Sequence, residues 1–216
     1  MIGSLRIKVC GLTGVADIAV ARSLGVDFFG INCWEGSPRF VPAARRAILL
    51  REIPANARIA ITVNPTVEQA LALRTEGFDI IQVHFNPDEA KTDPVALSKA
   101  LQPQHLWLAP KIAPGKTFPE AFIPLADGLL QDAYQPNAFG GTGQRADWTA
   151  FTQTAQKHPS KLWILAGGLK RTNVVDASLT GAGCLDLNSG VEIGPGLKSA
   201  QLLTLTLQAL LKNKQI

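Results

Sequence analysis

Charge, sulfur and aromatic rings are all scarce in this chain. Of 216 residues, 18% are charged, 6% are aromatic and three are cysteine. With 46% of residues hydrophobic, so little charge rules out a solvated, disordered polymer and points to a soluble globular protein. No apolar run nears the roughly 20 residues that a membrane helix needs, so no membrane partner is expected. Cys10, Cys33 and Cys184 are odd in number and far apart. That spacing suits reduced cytoplasmic thiols, not a disulfide framework or a zinc site. The first residues, MIGSLRIKVCG, lack the apolar core of an export signal. No Pro/Gly/Ser linker or shift in composition divides the chain, so one domain over residues 1–216 is the economical reading. Lysine and arginine are scattered, which argues against a nucleic-acid partner. The net charge of +4 and pI near 9.1 instead suit a small anionic ligand, a phosphorylated one included.

What the chain does have is rhythm. Short apolar runs recur eight times, at 5–10, 28–31, 59–63, 80–84, 106–112, 128–130, 162–166 and 184–187. Between them lie segments of helical periodicity, such as 14–24, 66–76, 94–101 and 146–157, and the chain closes with one at 198–212. Alternation of this kind implies right-handed crossovers and a parallel sheet. Eight repeats, at about 27 residues each, match a compact (β/α)₈ TIM barrel with parallel strands near its lower size limit, with a doubly wound open sheet as the alternative. Residues 113–126 carry three prolines, so the connection after the fifth run is expected to be short or distorted.

A barrel places its chemistry at the C-terminal ends of strands and in the loops beyond. Cys10 falls at the first tip, either as a base or nucleophile if its pKa is lowered, or as a small core hydrophobe. Lys8, two residues earlier on the same face, is an oddity for a barrel interior and could supply that lowering. Arg39, after the Ser37-Pro38 turn, can grip a carboxylate or be a solvated loop residue. Asn64 ends the third run, and Gln82 and His84 share a face of the fourth, the histidine as base or as wall. The fifth run, with Trp107 and Lys111, offers at most a pocket wall. Asp132 follows the sixth, as a candidate acid or a capping aspartate, with the glycine-dense turn around Gly141 and Thr142 shortly after. Gly167-Gly168 end the seventh. The eighth carries Asp186, placed to bond substrate, then Asn188, Ser189 and Gly190, with Glu192 read as structural. Glycine-rich ends on strands seven and eight are where barrels often hold phosphate.

Taken in order, KVCGLT, SPRFV, TVN, QVH, LLQD, FGGTG with ADW, ILAGGL and DLNSGVE with PGLK resemble the phosphoribosylanthranilate isomerase family, from Lys8 to Lys198. The resemblance implies a (β/α)₈ barrel and an Amadori rearrangement of N-(5-phosphoribosyl)anthranilate to an open-chain 1-deoxyribulose phosphate in tryptophan biosynthesis, with no cofactor. It places a general base at Cys10, a general acid at Asp132 and a carboxylate grip at Arg39. Gly141, Thr142, Gly167, Gly168, Asn188, Ser189 and Gly190 would enclose the phosphate, and Asp186 would face substrate. The chain departs from the family pattern at Phe85, where glycine is usual and a narrowed pocket is therefore expected, at Asn188 for serine, and at Ser199 for aspartate. Other readings are the neighbouring indole-glycerol phosphate synthase, for which Lys8 and Lys111 are the available lysines, another aminoaldose-phosphate isomerase, and a non-catalytic barrel that binds a phosphate metabolite. The chain could act as a monomer or a homodimer.

Overall fold

The computed structural model describes residues 4–135 and 146–213. Eight parallel strands close into a barrel in chain order: β1 (Arg6–Val9), β2 (Phe28–Asn32), β3 (Arg58–Val63), β4 (Ile80–Phe85), β5 (Leu106–Pro110), β6 (Gly128–Gln131), β7 (Leu162–Leu165) and β8 (Cys184–Leu187). Pairing of β1 with β8 closes the ring and sets Lys8 beside Asp186. The open-sheet alternative is thereby excluded.

The helices are α1 (Val15–Ser23), α2 (Ala43–Glu52), α3 (Val67–Glu76), α4 (Pro94–Leu101), α5 (Trp148–Lys157), α6 (Val174–Ser178) and α7 (Ala200–Asn213). Local chemistry fixes several starts. Thr66 and Gln69 form a reciprocal capping box at α3, which ends on Gly77 in the left-handed region. Asp93 accepts from the N–H groups of Val95 and Ala96 at α4, where Pro94 takes the first helical position. Asp147 caps α5 through the N–H of Ala150.

Three elements went unread in the sequence. Helix α2 is hard to see because Arg46 interrupts its apolar face, and α6 spans barely more than one turn. A short antiparallel hairpin, β9 (Glu192–Gly194) and β10 (Leu197–Lys198), lies in what reads as loop before the last helix. After β5 a proline-bearing 3₁₀ turn, Glu120–Leu125, replaces an α-helix, as the three prolines foretell.

Two cores result. The larger lies between the strands and the surrounding helices. The smaller fills the barrel, with Phe28, Ile59, Ile80, Trp107, Leu130, Ile164 and Cys184 among its members. In it Trp107 and Phe28 meet edge to face, their ring centroids 5.0 Å apart. The Trp107 indole occupies the space a Cβ on Gly128 would need, so glycine there on β6 is a packing requirement. Trp107 is thus a barrel plug and not the pocket wall its position suggested.

Candidate active site

Above this plug the strand ends open onto a cavity of about 220 Å³. Every strand except β5 contributes to its wall directly or through the following loop. Among the lining residues are Cys10, Arg39, Gln82, His84, Asp132, Asp186 and Asn188. The barrel therefore brings together most of the side chains singled out at the strand tips.

Cys10 stands one residue past β1, its N–H bonded to the Leu187 carbonyl at 2.8 Å. Glycine at position 30 makes room for it, since a Cβ there would approach its sulfur to 3.3 Å and Ile61 Cδ1 to 2.8 Å. Burial pushes the thiol pKa up from 9.0, and the opposing pull of Lys8 does not overcome it. This corrects the expectation of a thiolate made by Lys8. The lysine is fully buried below the cavity and committed to Asp186, Nζ to Oδ2 at 2.7 Å. Burial alone would lower the Lys8 pKa, but the adjacent carboxylate reverses the direction and holds the ammonium charged. Asp186 still has something to offer the cavity, because its Oδ1 is buried and makes no hydrogen bond among the described residues.

Asp132 stands one residue past β6 and takes the N–H of Ala133 on Oδ1 at 2.7 Å. Burial raises its pKa to about 6, helped by the negative charge of Asp186 and opposed by the Ala133 hydrogen bond and Lys8. Gly167, with φ of +88°, lets the β7 turn pass close by; a Cβ there would lie 2.7 Å from Ala133 N and 3.1 Å from Asp132 Oδ1. His84 is held by Gln82, Nε2 to Nε2 at 2.8 Å, and burial lowers its pKa to about 3. Held neutral in this way, it suits the second of the two roles open to it, a wall.

Not every expected residue joins the cavity. Asn64 adopts a left-handed backbone, with φ of +47°, and lies outside the wall. Gly190 is needed because a Cβ there would run into the Leu169 carbonyl, so it is packing between the turns after β7 and β8 that demands it. Phe85 points outward, 2% exposed and edge to face with Phe122 at 5.2 Å, so it does not narrow the pocket. Gly141 and Thr142 lie outside the described residues. On the turns after β7 and β8, the main-chain N–H groups of Gly168, Leu169 and Ser189 make no hydrogen bond among the described residues. Such N–H groups at turns can receive an anion.

Arg39 is buried, not solvated. Its Nε and Nη2 bond both oxygens of Glu192, at 3.0, 3.2 and 2.7 Å. Sequence reasoning took Glu192 as structural and passed over Lys198, although Gly194-Pro195-Gly196 between them is a turn signal able to fold the two onto each other. Trp34 was also missed; it lines the cavity with its indole against Gly36. No group of three or more His, Cys, Asp or Glu side chains able to hold a metal occurs among the described residues.

A closed (β/α)₈ barrel with ionisable groups gathered in a cavity at its strand C-termini is the architecture of a barrel enzyme. The sequence comparisons narrow that class. The family model for N-(5'-phosphoribosyl)anthranilate (PRA) isomerase matches residues 7–209, and the chain belongs to that family. Its relatives include an N-(5'-phosphoribosyl)anthranilate isomerase from Zymomonas mobilis, 34% identical over 95% of this chain and 98% of its own. A crystal structure of phosphoribosyl anthranilate isomerase from Thermus thermophilus superposes with a TM-score of 0.82 at 25% identity, covering 96% and 99% of the two chains. The same fold, with a TM-score of 0.73 at 20% identity and coverage of 98% and 100%, occurs in a phosphoribosyl anthranilate isomerase in complex with reduced 1-(o-carboxyphenylamino)-1-deoxyribulose 5-phosphate.

Proposed function

We propose that the chain isomerises N-(5-phosphoribosyl)anthranilate to 1-(2-carboxyphenylamino)-1-deoxyribulose 5-phosphate in cytoplasmic tryptophan biosynthesis, with Asp132 as general acid and Cys10 as general base. The observation that carries this reading is the presence of both groups in the wall of one cavity, in a chain of this family. The acid must deliver a proton to the furanose ring oxygen so that the ring opens to an iminium. A carboxyl whose pKa stands near 6 holds a proton much further up the pH scale than an ordinary aspartate. The base then removes the C2 proton, which the iminium has acidified, to give the enolamine.

Burial favours a thiol at Cys10 and, above pH 6, Asp132 is a carboxylate, the reverse of the working pair. The productive form is therefore a minor protonation state. Its fraction stays constant between the two pKa values, because each pH unit raises the Cys10 thiolate about tenfold and lowers protonated Asp132 about tenfold. Arg39 would receive the anthranilate carboxylate, the free Oδ1 of Asp186 a sugar hydroxyl, and the turns holding Gly168 and Ser189 the phosphate. Anchors at both ends of the substrate convert binding into orientation of the sugar between acid and base.

The test is loss of the fluorescence of phosphoribosylanthranilate on adding purified protein. Cys10→Ser and Asp132→Asn should each keep the fold, by circular dichroism, and lower turnover by about 10²–10⁴-fold. Near-normal turnover in either variant would remove that residue from its role. Binding without any loss of fluorescence by the wild type would instead mark a metabolite-binding barrel, a reading that loses its sequence hint once Phe85 is found outside the pocket.

A further inference from the structure

Behind Arg39 lies a buried cluster that the proposed chemistry does not use. The Glu192 side chain, 4% exposed, accepts from Arg39 on both oxygens and from Lys198 Nζ on Oε1 at 2.6 Å. Lys198, 2% exposed in its side chain, also donates to Asn188 Oδ1 at 2.9 Å. The Gly196 N–H adds a bond to Glu192 Oε1 at 3.1 Å, and Thr13 Oγ1 donates to the Gly196 carbonyl at 2.6 Å. The hairpin β9–β10 is what folds Glu192 and Lys198 onto one another. Gly11, with φ of +69°, leaves the space: a Cβ there would lie 2.5 Å from Arg39 Cδ and 2.9 Å from Asn188 Oδ1.

Two features of this cluster point outward to a ligand. Two cations share one anion, so the cluster carries a net positive charge in a place where little water reaches it, and an uncompensated buried charge is costly. The guanidinium is also committed along one edge only. Glu192 takes the Nε/Nη2 edge, and Nη1 makes no hydrogen bond among the described residues, while Arg39 lines the cavity. The Nη1/Nη2 edge is a second two-pronged donor of the same shape.

Resting on the function proposed above, we infer that Glu192 is a positioning residue that couples the two anchors of the substrate. It turns Arg39 so that one edge faces the cavity, and through Lys198 it fixes Asn188 at the phosphate-side turn, so both ends of the ligand are held from one buried carboxylate. A side chain placed only for stability would not distinguish ligand affinity from melting temperature.

The test is a double-mutant cycle of Glu192→Gln with Arg39→Ala, reading the affinity for reduced 1-(o-carboxyphenylamino)-1-deoxyribulose 5-phosphate by calorimetry, with Tm and turnover measured alongside. In the wild-type background Glu192→Gln should weaken the analogue and raise KM by about tenfold or more, with kcat within about threefold. In the Arg39→Ala background it should weaken the analogue by at least about threefold less than in the wild type, because only the arm through Lys198 to Asn188 is left to lose. Equal losses in both backgrounds, or unchanged affinity when Glu192→Gln or Arg39→Ala is made alone in the wild type, would overturn the inference. Should Glu192→Gln fail to fold, Glu192→Asp, which keeps the charge but shortens its reach, is carried through the same cycle with the same criterion. Wild-type protein that binds the analogue without turning over phosphoribosylanthranilate would defeat the proposed activity while leaving the cycle to decide on Glu192. Absence of binding by the wild type would overturn both.

Discussion

At the scale of single residues, Asp132 shows how a functional group is set against stability. Its carboxyl ionises near pH 3.8 in an open chain and near 6 in the fold, because burial disfavours the charge. Folding therefore binds a proton between those values. The sign follows: at low pH both states are protonated and the site costs nothing, whereas above about pH 6 the fold must carry a buried anion that the unfolded chain carries in water. Asparagine keeps the shape and an oxygen for the Ala133 N–H while removing the charge. Asp132→Asn should thus be more stable than wild type by about 1–3 kcal/mol at pH 8, where allowance is made for the partial opening of the site to the cavity. The gain should shrink through pH 6 and vanish near pH 4, as read from urea denaturation midpoints. A constant difference at all pH values would mean that burial of charge is not what perturbs the group. The carboxyl could be located from the sequence, but this burden could not, because it arises from burial, and to a lesser degree from Asp186, both of which only barrel closure supplies. Cys10 makes the same point in reverse. The sequence sets a lysine two residues away, yet it takes the register of β1 on β8 to reveal that Asp186 has already claimed that lysine.

At the scale of elements, legibility tracks periodicity. All eight strands and the long amphipathic helices stand out because the repeat of their apolar residues is the physical cause of their burial. The hairpin after β8 and helix α2 do not, since one is too short for a period and the other turns an arginine toward the protein. Arg46 of α2 is buried and bonds the Val41 carbonyl and both oxygens of Glu76. Small residues within strands are harder still to read, because their meaning is the space they leave. Gly30 of β2 is such a case. A methyl there would meet Ile61 Cδ1 at 2.8 Å and the Cα and Sγ of Cys10 at 3.1 and 3.3 Å. Its strand is paired on both sides with β1 and β3, so it yields little. Gly30→Ala should therefore act chiefly on the thiol, lowering kcat by about tenfold or more while costing about 1–3 kcal/mol of stability. Alkylation of Cys10, followed by mass spectrometry, should slow or quicken in parallel with that change. An alanine variant with unaltered kcat and unaltered alkylation would show that the sulfur position does not depend on β2.

At the scale of the whole molecule, the division into two cores separates what holds the barrel together from what lines its mouth. The outer core joins strands to helices around the full ring, while the inner one is a short plug with the cavity above it. Trp107 is the largest piece of that plug, 2% exposed, packed on Phe28 and against the bare backbone of Gly128. Its strand, β5, is also the one that gives no residue to the cavity wall. Stability and ligand contact should accordingly come apart there. Removing the indole deletes buried area and leaves a void that the closed ring cannot easily collapse, a change that costs about 3–5 kcal/mol in comparable cores. For a chain of this length each kcal/mol moves Tm by about 2–4 °C. Trp107→Ala should then melt on the order of 10 °C below wild type, yet bind the reduced product analogue within about threefold at 20 °C, where the fold still holds. A fall in affinity as steep as the fall in Tm would show that the plug and the mouth are one cooperative unit, and that the cavity is shaped from below as much as by the loops around it.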